Sequence, residues 1–342
     1  MAAPTMIGLD IGTTSIRAVE ISRAKDGLVL TNFAVEALPH GVVQAGVVVD
    51  ADAVTATLKQ MWATARLRCR KVVLGVTNAQ AIVREMSVAN LPARELRASL
   101  PFQVRDSLPL PPERSVLDFH PLEDATGKET VRGLLIAAPK EAVLVAVRAV
   151  ERAGLYVTRV DVASFALLRA AATPEAGVEA LVDIGARTTT VVVHSDGVPL
   201  IVRTIPRGGA EITDQLVTRL SVPAEEAEAI KVRVGLRAEE NAELAETIAD
   251  ATRPLISEVR SSFAYLDAGD RQKRVTRVVL SGGGALLQGL TETLHGQLGV
   301  PVTVANPTAR MQRAHRTPKH DELARSRSRA AVSIGLTLGA AS

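Results

Sequence analysis

Two stretches, Asp10-Ile11-Gly12-Thr13-Thr14-Ser15 and Asp183-Ile184-Gly185-Ala186-Arg187-Thr188-Thr189, each set a carboxylate two residues before a glycine and then small hydroxylated side chains. Successive backbone N–H groups in such turns form a concavity that takes anionic oxygens. Gly12 and Gly185 let the main chain approach a phosphate with no side chain in the way. A carboxylate repels phosphate, so Asp10 and Asp183 suit that ligand only with a hydrated Mg²⁺ between them, a cation that keeps most of its waters. A tight hairpin whose Asp bonds its own turn accounts for either stretch alone. Two copies in the same order favour the phosphate reading.

Strand-like runs position both. Ile7–Ile11 is followed by Ile16–Ile21, and Ala180–Ile184 by Thr190–His194, so each pair reads as a β-hairpin with its Asp and Gly at the tip. One chain with a tip in each half can grip a nucleotide between them.

A third element is Ser281-Gly282-Gly283-Gly284-Ala285, between the buried-strand run Val278–Leu280 and a helix. Its glycines offer a flat backbone surface for a purine, and equally a plain strand-to-helix turn. It is neither a GxGxxG fingerprint nor a Walker A loop. Fourth, Glu228 and Lys231 lie three apart on one helical face, suited to ribose hydroxyls or to a solvated ion pair.

Patterning between these motifs predicts a doubly lobed α/β protein. Asp50–Asp52 can cap a helix over Ala53–Ala65, Val72–Val76 is a buried strand, and Ala81–Val88 extends the same sheet. A helix begins at Pro92 and Pro101 ends it; Val116–His120 and Arg132–Ala138 read as paired strands. Lys140–Arg152 carries Val143, Val147 and Val150 on one face, and Gly154 stops it. Glu211–Leu266 is largely helical, and Ala331–Gly339 is a small-residue helix able to pack tightly. These readings give a first lobe over 1–88, completed by 155–178 and the closing helix 330–342. An α/β module is inserted over 89–154. The second lobe covers 179–329, with a helical subdomain at about 211–270.

Composition removes several classes. Net charge is +3 and aromatics are 2%, which gives no stacking platform for single-stranded nucleic acid. The lone Cys69 rules out a disulfide framework and CxxC metal sites, as in a reducing cytoplasm. The six histidines lack zinc-ligand spacing. No signal peptide or apolar span is expected, so any membrane association comes through a partner. The basic stretch from Arg310 to Arg329 reads as a solvated loop, with contact to anionic lipid or an acidic partner as the sharper reading.

In order, a DxG hairpin, a second DxG hairpin, an Ala-Glu-x-x-Lys helix and a strand ending in GGG, the chain resembles the actin-like (ribonuclease H-like) nucleotide-binding fold. Within it the sequence is similar to the PilM family of type IV pilus assembly proteins. The likeness rests on GLDIGTTSIRAVEIS, LPxxEL, LDFH, VDIGARTTTVVV, the segment Arg207–Thr213, VVLSGGGALLQGL and the closing IGLTLG, and runs nearly end to end. The resemblance implies ATP and Mg²⁺ in a cleft between two lobes. It implies Asp10, Gly12, Thr13, Thr14 and Ser15 as the first phosphate loop, and Asp183, Gly185, Thr188 and Thr189 as the second. Gly208, Gly209 and Glu211 would lie at the cleft, Glu228 and Lys231 at the ribose, and Gly282, Gly283 and Gly284 at the adenine. Arg17 stands where many relatives carry Lys.

The implied partner is the short cytoplasmic N-terminal peptide of a PilN-like membrane protein, held beside the inserted module. Other pilus platform proteins and the assembly ATPase complete the expected company, on the inner face of the cell membrane. FtsA-like division proteins share the insertion, and small-molecule kinases share the DxGTT opening. A kinase needs a general base that no Asp outside the phosphate loops supplies. No residue is recognisable as orienting an attacking water, so hydrolysis is expected to be slow or absent.

Overall fold

The apolar run at the start of the chain becomes β1 (Met6–Ile11), buried from Ile7 onward, and turns back as β2 (Ser15–Ala24) and β3 (Gly27–Ala37). The computed structural model describes residues 6–24, 27–173, 177–239, 241–267, 273–309, 311–313 and 326–340. A short ladder of β4 (Val43–Gln44) and β5 (Val47–Val48) leads into α1 (Ala51–Thr64). The Asp50 carboxylate caps α1 by accepting from the N–H groups of Asp52 and Ala53, and Val54, Leu58 and Met61 form its buried stripe. Next, β6 (Lys71–Val76) returns parallel to β1.

Then come β7 (Ile82–Ala89), α2 (Ala93–Gln103), β8 (Ser115–Pro121), β9 (Thr130–Pro139) and α3 (Lys140–Arg152). After them, β10 (Tyr156–Val162) pairs parallel with β6 and runs into α4 (Ala163–Ala171).

The second half repeats the opening plan with β11 (Val178–Ile184), β12 (Thr189–Ser195) and β13 (Val198–Ile205). Three helices follow, α5 (Gly209–Leu220), α6 (Ala224–Val234) and α7 (Ala242–Asp267). The remaining elements are β14 (Arg277–Ser281), α8 (Leu290–Leu298), β15 (Val302–Val304), β16 (Gln312–Arg313) and α9 (Ala331–Ala340).

One sheet has the order β10-β6-β1-β2-β3-β16 and the other β15-β14-β11-β12-β13. Each is an antiparallel three-strand meander whose first strand takes two parallel strands on its far side.

Between the two sheets lie α4 and α9. Ala166, Leu167, Ala331 and Leu336 join Val73 of the first sheet to Leu181, Val192 and Val279 of the second in one apolar core. The helices cross almost backbone to backbone: a Cβ on Gly335 would stand 1.8 Å from the Ala166 carbonyl oxygen, and one on Gly8 1.9 Å from that of Ser333. Only glycine fits either place.

Four expectations change. The strand after Val76 does not extend the first sheet; β7 pairs with β9, and β8 covers the other edge, in a separate three-stranded sheet. Asn78 turns the chain away, its carboxamide oxygen accepting from Gln80 N–H at 2.7 Å and its carbonyl from Ala81 N–H at 2.9 Å. The insertion therefore begins near Asn78 and not at 89. Nor does α3 belong to it, because Ala149 and Val150 are buried in the core shared with α1 and β1.

Pro101 also fails to end α2, which runs on to Gln103. A proline near the end of a helix loses only one backbone bond. Leu100 and Val104, on either side, are buried against Val88, Val131 and Leu135.

Candidate functional site

The hairpin tips are built alike. Gly12 N–H donates to the Ser15 carbonyl at 3.0 Å, and Gly185 N–H to the Thr188 carbonyl at 2.9 Å. In register, Asp10 faces Arg17 and Asp183 faces Thr190; on their other sides lie Gly75 and Ser281. The duplicated frame thus carries different partners. An Arg17 guanidinium nitrogen lies 3.1 Å from Asp10 Oδ2, which leaves Asp10 neutralised while its side chain stays mostly buried.

Among the described residues Asp183 has no such cation, though it keeps a solvent-facing edge. Burial pushes its carboxyl up to about 6, reinforced by the negative field of Asp10 and opposed by the Ser281 hydrogen bond and the Arg17 charge. Asp183 therefore lies within the field of the first tip.

That shift has a signed consequence for the unliganded protein. A raised carboxyl stabilises the fold fully below its unfolded pKa near 4, and the contribution is lost as pH rises through about 6. At pH 7, Asp183→Asn should be more stable than wild type by on the order of 2 kcal/mol. The margin should close by pH 4, read as the difference between the two melting curves. A margin that does not change with pH would contradict the assignment.

The second tip docks on the start of α5. Gly209 N–H donates to the Gly185 carbonyl at 2.9 Å and Ala210 N–H to that of Ala186 at 2.8 Å. Gly208 must be glycine, since its Cβ would meet the Gly185 carbonyl oxygen at 2.4 Å. Glu211 is tied to Arg207 at 2.6 Å, and Thr189 is buried with its hydroxyl donating to the Arg207 carbonyl at 2.8 Å. Thr13, Ser15 and Thr188 are half-buried, and Thr14 is exposed.

Lys231 does not sit as a solvated ion pair. Its ammonium donates to the Gly209 carbonyl at 3.0 Å, Thr213 Oγ1 at 2.9 Å and Glu228 Oε2 at 2.5 Å. An ammonium has three protons, and all are spent. Lys231 thus braces α5 against α6, and the Thr213 hydroxyl donates to Glu228 at 2.6 Å.

Two of the three loop glycines serve packing. Gly282 has φ +82°, and its Cβ would stand 2.4 Å from the Ile184 carbonyl oxygen; a Cβ on Gly284 would stand 2.3 Å from Ile184 Cγ2. Only at Gly283 does no backbone or Ile184 atom block the Cβ position; the neighbour there is the guanidinium of Arg329, with Nε 3.5 Å away.

Composition and spacing missed Arg329. Most of the basic stretch 310–329 falls outside the described residues; within 326–329, Ser328 is buried and fixed while Arg329 is exposed. Ser328 accepts from Ser281 Oγ at 2.8 Å and Gly282 N–H at 3.1 Å, and its own hydroxyl donates to the Gly282 carbonyl at 3.2 Å. No sequence signal ties residues so far apart.

Hydrogen bonds and packing tie the second tip to the start of α5, α5 to the Glu228–Lys231 pair, and the second tip to the glycine loop, and Asp183 lies in the field of Asp10 and Arg17 of the first tip. Among the described residues no group of three or more His, Cys, Asp or Glu is placed to hold a metal, and no helix is long and apolar enough to cross a membrane.

This duplicated frame and site define an actin-like protein. Solved structures agree on the fold: EutJ of Carboxydothermus hydrogenoformans (TM-score 0.58, 19% identity, 98% of this chain and 90% of that one) and ADP-bound MreB5 of Spiroplasma citri (TM-score 0.59, 14% identity, 98% and 96%). The chain belongs to the family of the type IV pilus assembly protein PilM, whose model matches residues 8–341. It is similar, at 28% identity and TM-score 0.86 over 98% of both chains, to a structure described as the PilM-PilN type IV pilus biogenesis complex. Cell division protein FtsA is more distant. That of Bacillus subtilis (strain 168) is 26% identical over 67% of this chain, which spans only 58% of it; that of Escherichia coli (strain K12) is 25% identical over 89% and 86%.

Proposed function

We propose that this chain is an ATP-binding scaffold of the type IV pilus assembly platform, which holds the cytoplasmic N-terminal peptide of a PilN-like membrane protein. The observation that carries the nucleotide reading is the twinned tip, in which Gly12 N–H bonds Ser15 and Gly185 N–H bonds Thr188 two residues after an aspartate, with Asp183 in the field of Asp10 and Arg17. A carboxylate held reluctant to ionise beside a second one suits a cation between them. Asp10 and Asp183 would hold Mg²⁺ through water, with the Gly12–Ser15 and Gly185–Thr188 turns at the phosphates. Glu228 would take the ribose and the Gly283 backbone, with Arg329 against it, the base. Bound Mg²⁺ would neutralise phosphate charge.

Acidic groups of the site are engaged: Asp10 by Arg17, Glu211 by Arg207, Glu228 by Lys231 and Thr213. Asp183, the remaining acid, is assigned to the cation in this reading, which leaves none of these four to orient a water. Turnover should therefore fall well below the usual enzymatic rate of about 10 per second. A steady-state rate in that range would sink the scaffold reading. Nucleotide instead holds the two lobes closed.

The partner reading is supported by likeness to the PilM-PilN complex over 98% of both chains. In this reading the peptide recruits the protein to the inner face of the membrane, where other platform proteins and the assembly ATPase meet it. Pull-down with the N-terminal peptides of PilN-type proteins tests it. Capture supports the pilus role; filament formation without capture would favour the FtsA-like alternative.

A further inference from the structure

Where the inserted module leaves the first lobe, three parts of the molecule meet around a cavity of about 20 Å³. Asn78 comes from the turn that launches the insertion, Ser164 from the first turn of α4, and Thr190 and Thr204 from β12 and β13 of the second sheet. Asn78 and Ser164 are each only 2% exposed, yet Asn78 Nδ2 and the Ser164 hydroxyl have no protein partner among the described residues. The Asn78 carboxamide cannot simply turn over to hide its donor, because its oxygen is held by Gln80 N–H at 2.7 Å. Leaving a buried polar group unpaired costs far more than a made hydrogen bond contributes, so two on one cavity point to a shared ligand. The walls set its chemistry. No charged side chain lines the cavity, which calls for a neutral guest. The space suits a single water, for which roughly 10–15 Å³ is enough.

We propose that this cavity is a binding site for one buried water, which accepts from Asn78 Nδ2, bonds the Ser164 hydroxyl and pins the root of the insertion to both lobes. The threonine walls give it further polar partners, as a buried water commonly makes about three hydrogen bonds. In register, Thr190 stands opposite Thr204 on one side and Asp183 on the other, so the three share one face of the second sheet. The pin therefore sits on the strand that backs the second tip. It does not depend on what the tips bind.

The test is a high-resolution crystal structure of the full chain, with melting and amide exchange of wild type and Ser164→Ala. A single peak of density within about 3.2 Å of both Asn78 Nδ2 and Ser164 Oγ is expected. Ser164→Ala should melt about 2 °C lower, because it removes one of the water's partners. The amides of Gln80 and Ala81, at the root of the insertion, should exchange faster in that variant. A cavity without density, in a map that shows other buried waters, would overturn the site. So would Ser164→Ala melting at or above wild type, the result of deleting an unpaired hydroxyl from a dry void. Unchanged exchange at Gln80 and Ala81 would overturn the pinning.

Discussion

Replacing Asp10 or Asp183 by alanine should lower Mg-ATP affinity by about 10–100-fold, the usual cost of removing a group that orients a metal's shell. The two variants should nevertheless part company without ligand. Asp10→Ala strips the counter-charge from a mostly buried Arg17 and should destabilise the unliganded protein. Asp183→Ala removes a carboxyl that burial pushes up to about 6 and that is charged at a cost at pH 7, so the unliganded protein should hold or gain stability. Calorimetry and unliganded melting on the same preparations check both halves. Unchanged affinity in both variants would leave the tips as ordinary hairpins.

The largest effect on folding is expected at the crossing of α4 and α9. Gly335→Ala adds one methyl where the Ala166 carbonyl oxygen would lie 1.8 Å away, and neither backbone can retreat without opening the core between the sheets. The cost should be about 3 kcal/mol or more, despite the roughly 1 kcal/mol that alanine gains in helix propensity. Gly296→Ala, in α8 with open space around its Cβ position, should instead stabilise by about 0.5–1 kcal/mol. Denaturant titration of both variants gives one substitution with opposite signs.

What the chain betrays before folding follows from how local the cause is. The tips were legible because turn, Asp and Gly sit within six residues and recur in the same order. The Asp50 cap and the strands on either side of it were legible for the same reason. Strand 82–89 was misplaced because a half-buried apolar run does not say which sheet it joins; the Asn78 turn decides that. Pro101 misled because its neighbours are anchored by distant core residues. The spacing of Glu228 and Lys231 shows their pairing, but not the bonds from Lys231 to α5, some twenty residues away. Arg329 was hidden in a basic stretch, and only the Ser328 clamp shows that its end is bound to the glycine loop.

The twinned hairpins also bear on directionality. A cradle made of two identical halves would have no head or tail, and an elongated guest could enter either way round. Here the first half presents a guanidinium opposite its aspartate and the second a threonine, while Glu228 and the glycine loop come from the second half alone. The two tips thus give unlike surroundings to the two ends of anything held between them, and a nucleotide bound as proposed would be seated in one orientation.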